Sequence, residues 1–98
     1  MREFLRGAVQ LHILHHAAEG EIHGAWMSRE LAEHGYDISP GTLYPTLHRL
    51  ESEGLLSSRG TVEEGRSRRV YKITAEGRKV LRRTRKALRE LSEEVLDD

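Results

Sequence analysis

Ser39-Pro-Gly-Thr-Leu-Tyr-Pro-Thr-Leu-His-Arg-Leu-Glu51 is the stretch on which the reading of this chain turns. Ser39 is a capping residue type, Pro40 suits a first helical position, and Gly41 and Thr42 leave a small polar surface beside it. Leu43, Leu47 and Leu50 then recur at helical spacing and predict one buried face. Pro45 falls in the first turns, where a lost amide costs least. The opposite face carries Thr42, Tyr44, Thr46, His48 and Arg49, side chains that bond phosphates or base edges. A small-residue helix start with an outward polar face is what a helix needs to enter a major groove.

The rest of the chain builds a frame around that helix. Phe4, Leu5, Ala8, Leu11 and Leu14 predict a first helix over Arg2 to Ala18, ended by Gly20. A second helix is expected from His23-Gly24 over Ala25 to His34, with Met27, Leu31 and Ala32 inward and Gly35 as its stop. The third runs from Pro40 to Glu53 and stops at Gly54. The period then changes. Leu55 to Val62 and Arg69 to Thr74 read as two strands around a Glu64-Gly65 turn, and Thr74 caps a last helix whose Glu76 suits its positive end. The fold class is mainly α with a β-hairpin: a winged helix-turn-helix over residues 1–74, with a C-terminal dimerisation helix over residues 75–98 in the same unit. That helix carries Val80, Thr84, Leu88, Leu91 and Val95 as a stripe that outruns the compact part, so pairing with a second copy is expected, together with Phe4 and Leu5, and folding back on the first helix is the plain alternative.

Composition sets limits. The 98 residues are 37% hydrophobic and 33% charged, enough for a thin core that burial between subunits would supplement. No cysteine is present, which excludes disulfides, thiolate metal sites and a cysteine nucleophile. No glycine-rich phosphate loop or hydrolytic triad stands out, so no enzyme is expected and no cofactor is required. The N-terminus has no long apolar run, and a cytoplasmic location without membrane contact is the expectation. Net charge is zero, against the usual basic balance of DNA-binding domains. The charge is segregated, however. Arg66, Arg68, Arg69 and Lys72 form one basic group and residues 78–86 a second, while acids gather at Glu63-Glu64 and at Glu90, Glu93, Glu94, Asp97 and Asp98.

The Ser39 to Glu51 run, followed by Glu53-Gly54-Leu55-Leu56, closely resembles the recognition-helix segment of the PadR family of bacterial transcription regulators. Leu5-Arg6-Gly7-Ala8, Glu19-Gly20 with Ile22-His23-Gly24, Arg68-Arg69-Val70-Tyr71 and Ile73-Thr74-Ala75-Glu76-Gly77 extend the resemblance over nearly the whole chain. It implies a dimeric winged-helix repressor of the small subfamily, bound to a palindromic operator, often near its own promoter. The chain departs from the family pattern at Ala25-Trp26-Met27, where the family continues Tyr-Glu-Ile, and at His12, His15 and His16, where it holds aliphatics.

Position then assigns roles. Ser39, Gly41, Thr42 and Tyr44 lead the recognition helix toward double-stranded DNA, with Thr46, His48 and Arg49 behind them. Packing for Tyr44 and an ion pair with Glu53 for Arg49 are the plain alternatives. The wing turn is expected over Glu63 to Ser67, with Arg66, Ser67 and Arg68 toward the backbone or minor groove. Release would come from a small-molecule or metal effector. His12 and His16, one turn apart, can face one divalent ion of the Zn²⁺ type, although no second ligand pair at fixed spacing accompanies them. His23 is expected near Glu19 and Glu21, and Trp26 is a candidate platform for a flat effector in a cavity formed between subunits. The competing function is a winged helix turned to protein partners without DNA binding.

Overall fold

The computed structural model describes residues 1–97; Asp98, grouped above with the C-terminal acids, lies outside the described residues. The chain runs α1 (Arg2–Glu19), β1 (Ile22–His23), α2 (Gly24–Glu33), α3 (Pro40–Ser52), β2 (Leu56–Glu63), β3 (Arg66–Ile73) and α4 (Ala75–Leu96). Leu43, Leu47 and Leu50 are all buried, as their spacing requires. They meet Met27 and Leu31 of α2, Ile13 and Leu14 of α1, and Leu56, Tyr71 and Ile73 of the sheet in one core. Ala32 stays exposed, contrary to expectation, because the buried stripe of α2 is only Gly24, Met27 and Leu31 wide.

Non-local packing adds two features to the expected fold. The predicted hairpin is present as β2 and β3, and β1 joins it to give three antiparallel strands in the order β1-β3-β2. The added strand pairs Ile22 with Tyr71 and His23 with Val70, and two residues are too short to show alternation in sequence. In α1 the residues buried in the core are Val9, Ile13, Leu14 and Ala17, while Phe4 is 62% exposed and Leu5 is also exposed. The helix has two apolar faces: one enters the core, and the other, through Phe4, Ala8 and Leu11, faces α4.

The wing turn is tighter than Glu63 to Ser67. Only Glu64 and Gly65 lie outside the strands, with φ of 51° and 75°. Two consecutive positive φ values match the twist of the flanking strands. Arg66 and Ser67 therefore belong to β3, opposite Glu63 and Val62.

Helix α4 is seated by its first turn. The Thr74 hydroxyl accepts from the Gly77 amide at 3.0 Å and donates to the Gly54 carbonyl, while the Thr74 amide donates to the Leu55 carbonyl at 3.1 Å. A Cβ on Gly77 would run into the Leu55 carbonyl oxygen and the Ile73 side chain, so glycine is what lets the two backbones meet. Beyond Leu81 the helix leaves the core, with Leu88, Leu91 (50% exposed) and Val95 (64% exposed) facing out.

Thr74→Ala removes both the cap and the bond to Gly54. It is expected to cost about 1–2 kcal/mol, lowering the midpoint of thermal unfolding by roughly 4–16 °C, with Thr74→Ser recovering most of it. An unchanged melting curve would show that the junction is held by packing alone.

Candidate nucleic-acid interface

The buried leucines turn the other side of α3 to solvent. Ser39, Pro40, Gly41, Thr42, Tyr44 and His48 are exposed there, and Thr46 is half-buried. Ser39 was expected to cap through its hydroxyl and does not. Its carbonyl accepts from the Thr42 and Leu43 amides at 3.0 and 2.9 Å, while its Oγ turns to Thr42 Oγ1 at 3.4 Å. The Thr46 hydroxyl donates to the Thr42 carbonyl at 2.8 Å and is thus engaged within the helix. Arg49 forms the pair weighed as its plain alternative. Its Nη1 donates to the Glu53 carboxylate at 3.1 and 3.2 Å, and its Nη2 to Gln10 Oε1 at 3.0 Å. The leading end of α3 is therefore the uncommitted part of the helix, whereas Arg49 faces α1.

Tyr44 sits between α3 and the wing. It is 42% exposed, and its ring lies over Gly24 at the start of α2. Together with His48, Arg66, Ser67, Arg68 and Arg69 it lines a groove of about 410 Å³ floored by Tyr71. Burial and the nearby Glu51 carboxylate push the Tyr71 phenol above its ordinary pKa, so this floor stays neutral. Arg66 and Arg68 pair with no carboxylate among the described residues. The acids beside them are partly tied down. Glu63 reaches His23 Nε2 at 3.5 Å, and Glu21 is held by Arg59 at 2.8 and 3.0 Å. His23 thus meets the wing through Glu63, and Glu19 and Glu21 line the same cleft as expected. Across the groove from Tyr44 and His48 the wing presents two free guanidinium groups, and the exposed start of α3 adds amides and hydroxyls, a surface suited to phosphate oxygens and base edges.

One network without a local sequence signal fixes the helix to the wing. Glu51 accepts from the Ser58 amide at 3.1 Å and from the Ser58 hydroxyl at 2.7 Å, and Arg69 Nε donates to the same hydroxyl at 3.2 Å. Arg69 is thereby drawn onto the sheet and away from the free set of Arg66 and Arg68. The spacing of Glu51 to Ser58 carried no signal, because only the turn after Gly54 brings them together.

The histidines converge further than expected. His12, His16 and His34 place one ring nitrogen each within 4.8 Å of one another. Glu30 Oε1 lies 3.4 Å from His16 Nε2 and 3.3 Å from His34 Nε2. Two ligands of one tetrahedral Zn²⁺ stand at about this separation. Glu30 and His34, one turn apart on α2, are the second pair at fixed spacing that was held to be missing. Burial, followed by the neighbouring His34 and His16, lowers the His12 pKa, which keeps its lone pair available. His15 turns to α4, where its Nδ1 accepts from Arg85 at 2.8 Å. Trp26 is not on the α1–α4 face. It lines the cleft beside the wing, with the His16 ring edge-on at 5.2 Å. An apolar groove of about 640 Å³ already exists within one chain, between Phe4, Ala8 and Leu11 of α1 and Leu88 and Leu91 of α4.

Comparisons with known proteins agree with this geometry. Residues 13–83 match the family described as "Transcriptional regulator PadR-like family". The chain is 64% identical over 96 residues to transcriptional regulator Rv3488 of Mycobacterium tuberculosis, covering 98% of this chain and 90% of that protein. The crystal structure of a PadR family transcriptional regulator from Eggerthella lenta superposes with a TM-score of 0.84 at 35% identity, over 95% of this chain and 82% of that one. Bacillus subtilis PadR in complex with operator DNA superposes with a TM-score of 0.68 at 23% identity, over 74% of this chain and 44% of that one, a likeness of fold.

Glu51→Ala leaves the part-buried Ser58 amide without its acceptor. The expected cost is about 1–3 kcal/mol of stability, with faster amide exchange along β2 than along α1. Equal protection of β2 in the variant and the parent would remove Glu51 from the account.

Proposed function

The chain belongs to the PadR-like family of transcriptional regulators, and on that footing we propose that it is a homodimeric repressor that binds a palindromic operator in double-stranded DNA and occludes polymerase. The observation that carries this is the groove in which Tyr44 and His48 of α3 face the free Arg66 and Arg68 of the wing, together with the exposed leading end of the same helix. The likeness in fold to a relative solved on its operator supports the same orientation of helix and wing. Ser39, Gly41, Thr42 and Tyr44 meet the major groove, with His48 behind them, while Arg66, Ser67 and Arg68 meet the backbone or the minor groove. Arg49 positions the helix through its bond to Gln10 of α1, while Thr46 is held within the helix. The exposed apolar side chains Phe4, Leu5, Leu88, Leu91 and Val95, in line with Val80 and Thr84, support a dimer built on α1 and α4. The protein acts in the cytoplasm, and among the described residues no helix is long and apolar enough to cross a membrane.

The convergence of His12, His16 and His34, with Glu30 against His16 and His34, favours a divalent metal ion as the effector. Three imidazoles are a donor set that suits Zn²⁺ and related ions. The site joins the middle of α1 to the end of α2, so an occupant would constrain the helix that supports α3.

Two measurements test these readings. Binding is followed by fluorescence anisotropy on DNA upstream of the protein's own gene, with random DNA as competitor. Thr42→Ala and Tyr44→Ala should each weaken operator binding about fivefold to a hundredfold and leave the dimer intact; Arg66→Ala with Arg68→Ala should flatten the salt slope by about 2. Unchanged affinity and slope would turn the surface over to protein partners. Calorimetry with Zn²⁺ should give stoichiometric binding that is lost in the His12→Ala, His16→Ala double variant and weakened in His34→Ala. Absence of binding heat in the parent protein at several temperatures, with no shift in operator affinity, would remove the metal.

A further inference from the structure

We propose that Gly24 is a positioning residue for DNA reading: the space left by its missing side chain is the seat that holds the Tyr44 ring between the start of α2 and the wing. The inference rests on the reading that Tyr44 meets DNA, and adds what sets its geometry. Gly24 is the first residue of α2 and is buried. Its φ is not among the positive glycine values, which occur at Gly35, Gly54 and Gly65. The backbone therefore has no need of glycine at this position, and alanine is the better helix former by up to about 1 kcal/mol. Space is what excludes a side chain. A Cβ on Gly24 would lie 2.5 Å from Tyr44 Cε1 and 2.9 Å from both Cζ and the hydroxyl oxygen.

The kind of atom encountered decides the consequence. At Gly77 an added Cβ meets backbone, and α4 has to move. At Gly24 the nearest atoms it meets are the far end of an exposed side chain, which can swing out while the helices stay in place. The seat thus acts on Tyr44 and not on the fold. Held there, the ring forms one wall of the groove shared by His48, Arg66 and Arg68. Without the seat it becomes a free aromatic on an exposed surface, and binding has to order it first. Contacts to phosphates by Arg66 and Arg68 do not depend on the ring, so sequence-independent affinity should be spared.

The test is a double-mutant cycle on the full chain, read on an operator duplex selected from random DNA by the unmutated protein. Gly24→Ala should keep or raise the melting temperature, lose the contact between Tyr44 ring protons and Gly24 Hα seen by NMR in the parent, and weaken operator binding about tenfold. Binding to random duplex should change less than twofold, and in the Tyr44→Ala background Gly24→Ala should change operator binding less than twofold. Full operator affinity in Gly24→Ala, or an equal loss with and without Tyr44, would overturn the role of Gly24. A parent protein that selects no sequence while its ring contact is present would overturn the DNA role of Tyr44 itself.

Discussion

Burial of Leu43, Leu47 and Leu50 is the constraint from which the rest of the surface follows. With one side of α3 locked into the core, Thr42, Tyr44 and His48 have no direction left but outward. Each buried leucine contributes about 1.5–3 kcal/mol, so the three together outweigh the exposed bonds of Thr46 and Arg49. A rotation of α3 that hid its polar face would expose all three leucines at once. The Glu51–Ser58–Arg69 bonds add what apolar burial cannot, a defined distance between helix and wing.

The two proposed sites meet on α2. This ten-residue helix carries Gly24, under the Tyr44 ring, at its first position, and Glu30 and His34 sit at its other end. It spans only about 15 Å and is anchored to the core between them by Met27 and Leu31. An ion that draws His34 toward His12 and His16 therefore pulls on the same rigid element that seats Tyr44. That connection gives a physical basis for linking metal occupancy to DNA affinity through differential contacts.

What the sequence made legible were the features with strong local period or punctuation. The leucine repeat, Pro40, Gly54, the Glu64-Gly65 turn and the Thr74 cap all lie where they were expected. What stayed hidden is non-local. Strand β1 exists only because β3 passes beside Ile22 and His23. His34 joins His12 and His16 only because α2 packs across α1. Apolar spacing told that Phe4 and Leu11 share a face, and folding of the last helix back on α1 was one of two places that face could look; only the packed chain shows that α4 lies beside it. Ser39 shows the complementary case: its residue type was right for a cap, yet its hydroxyl settled on Thr42 while its carbonyl met the helix.

Sequence selection from a random DNA pool tests the central claim most directly, because it needs no knowledge of the operator. A dimer presenting two copies of α3 should enrich an inverted repeat with half-site centres about 10 base pairs apart. Enrichment should be lost when Thr42 and Tyr44 are both replaced by alanine. A pool that stays unenriched after repeated rounds, or converges equally for that double variant, would contradict the assignment of α3 as the reading element.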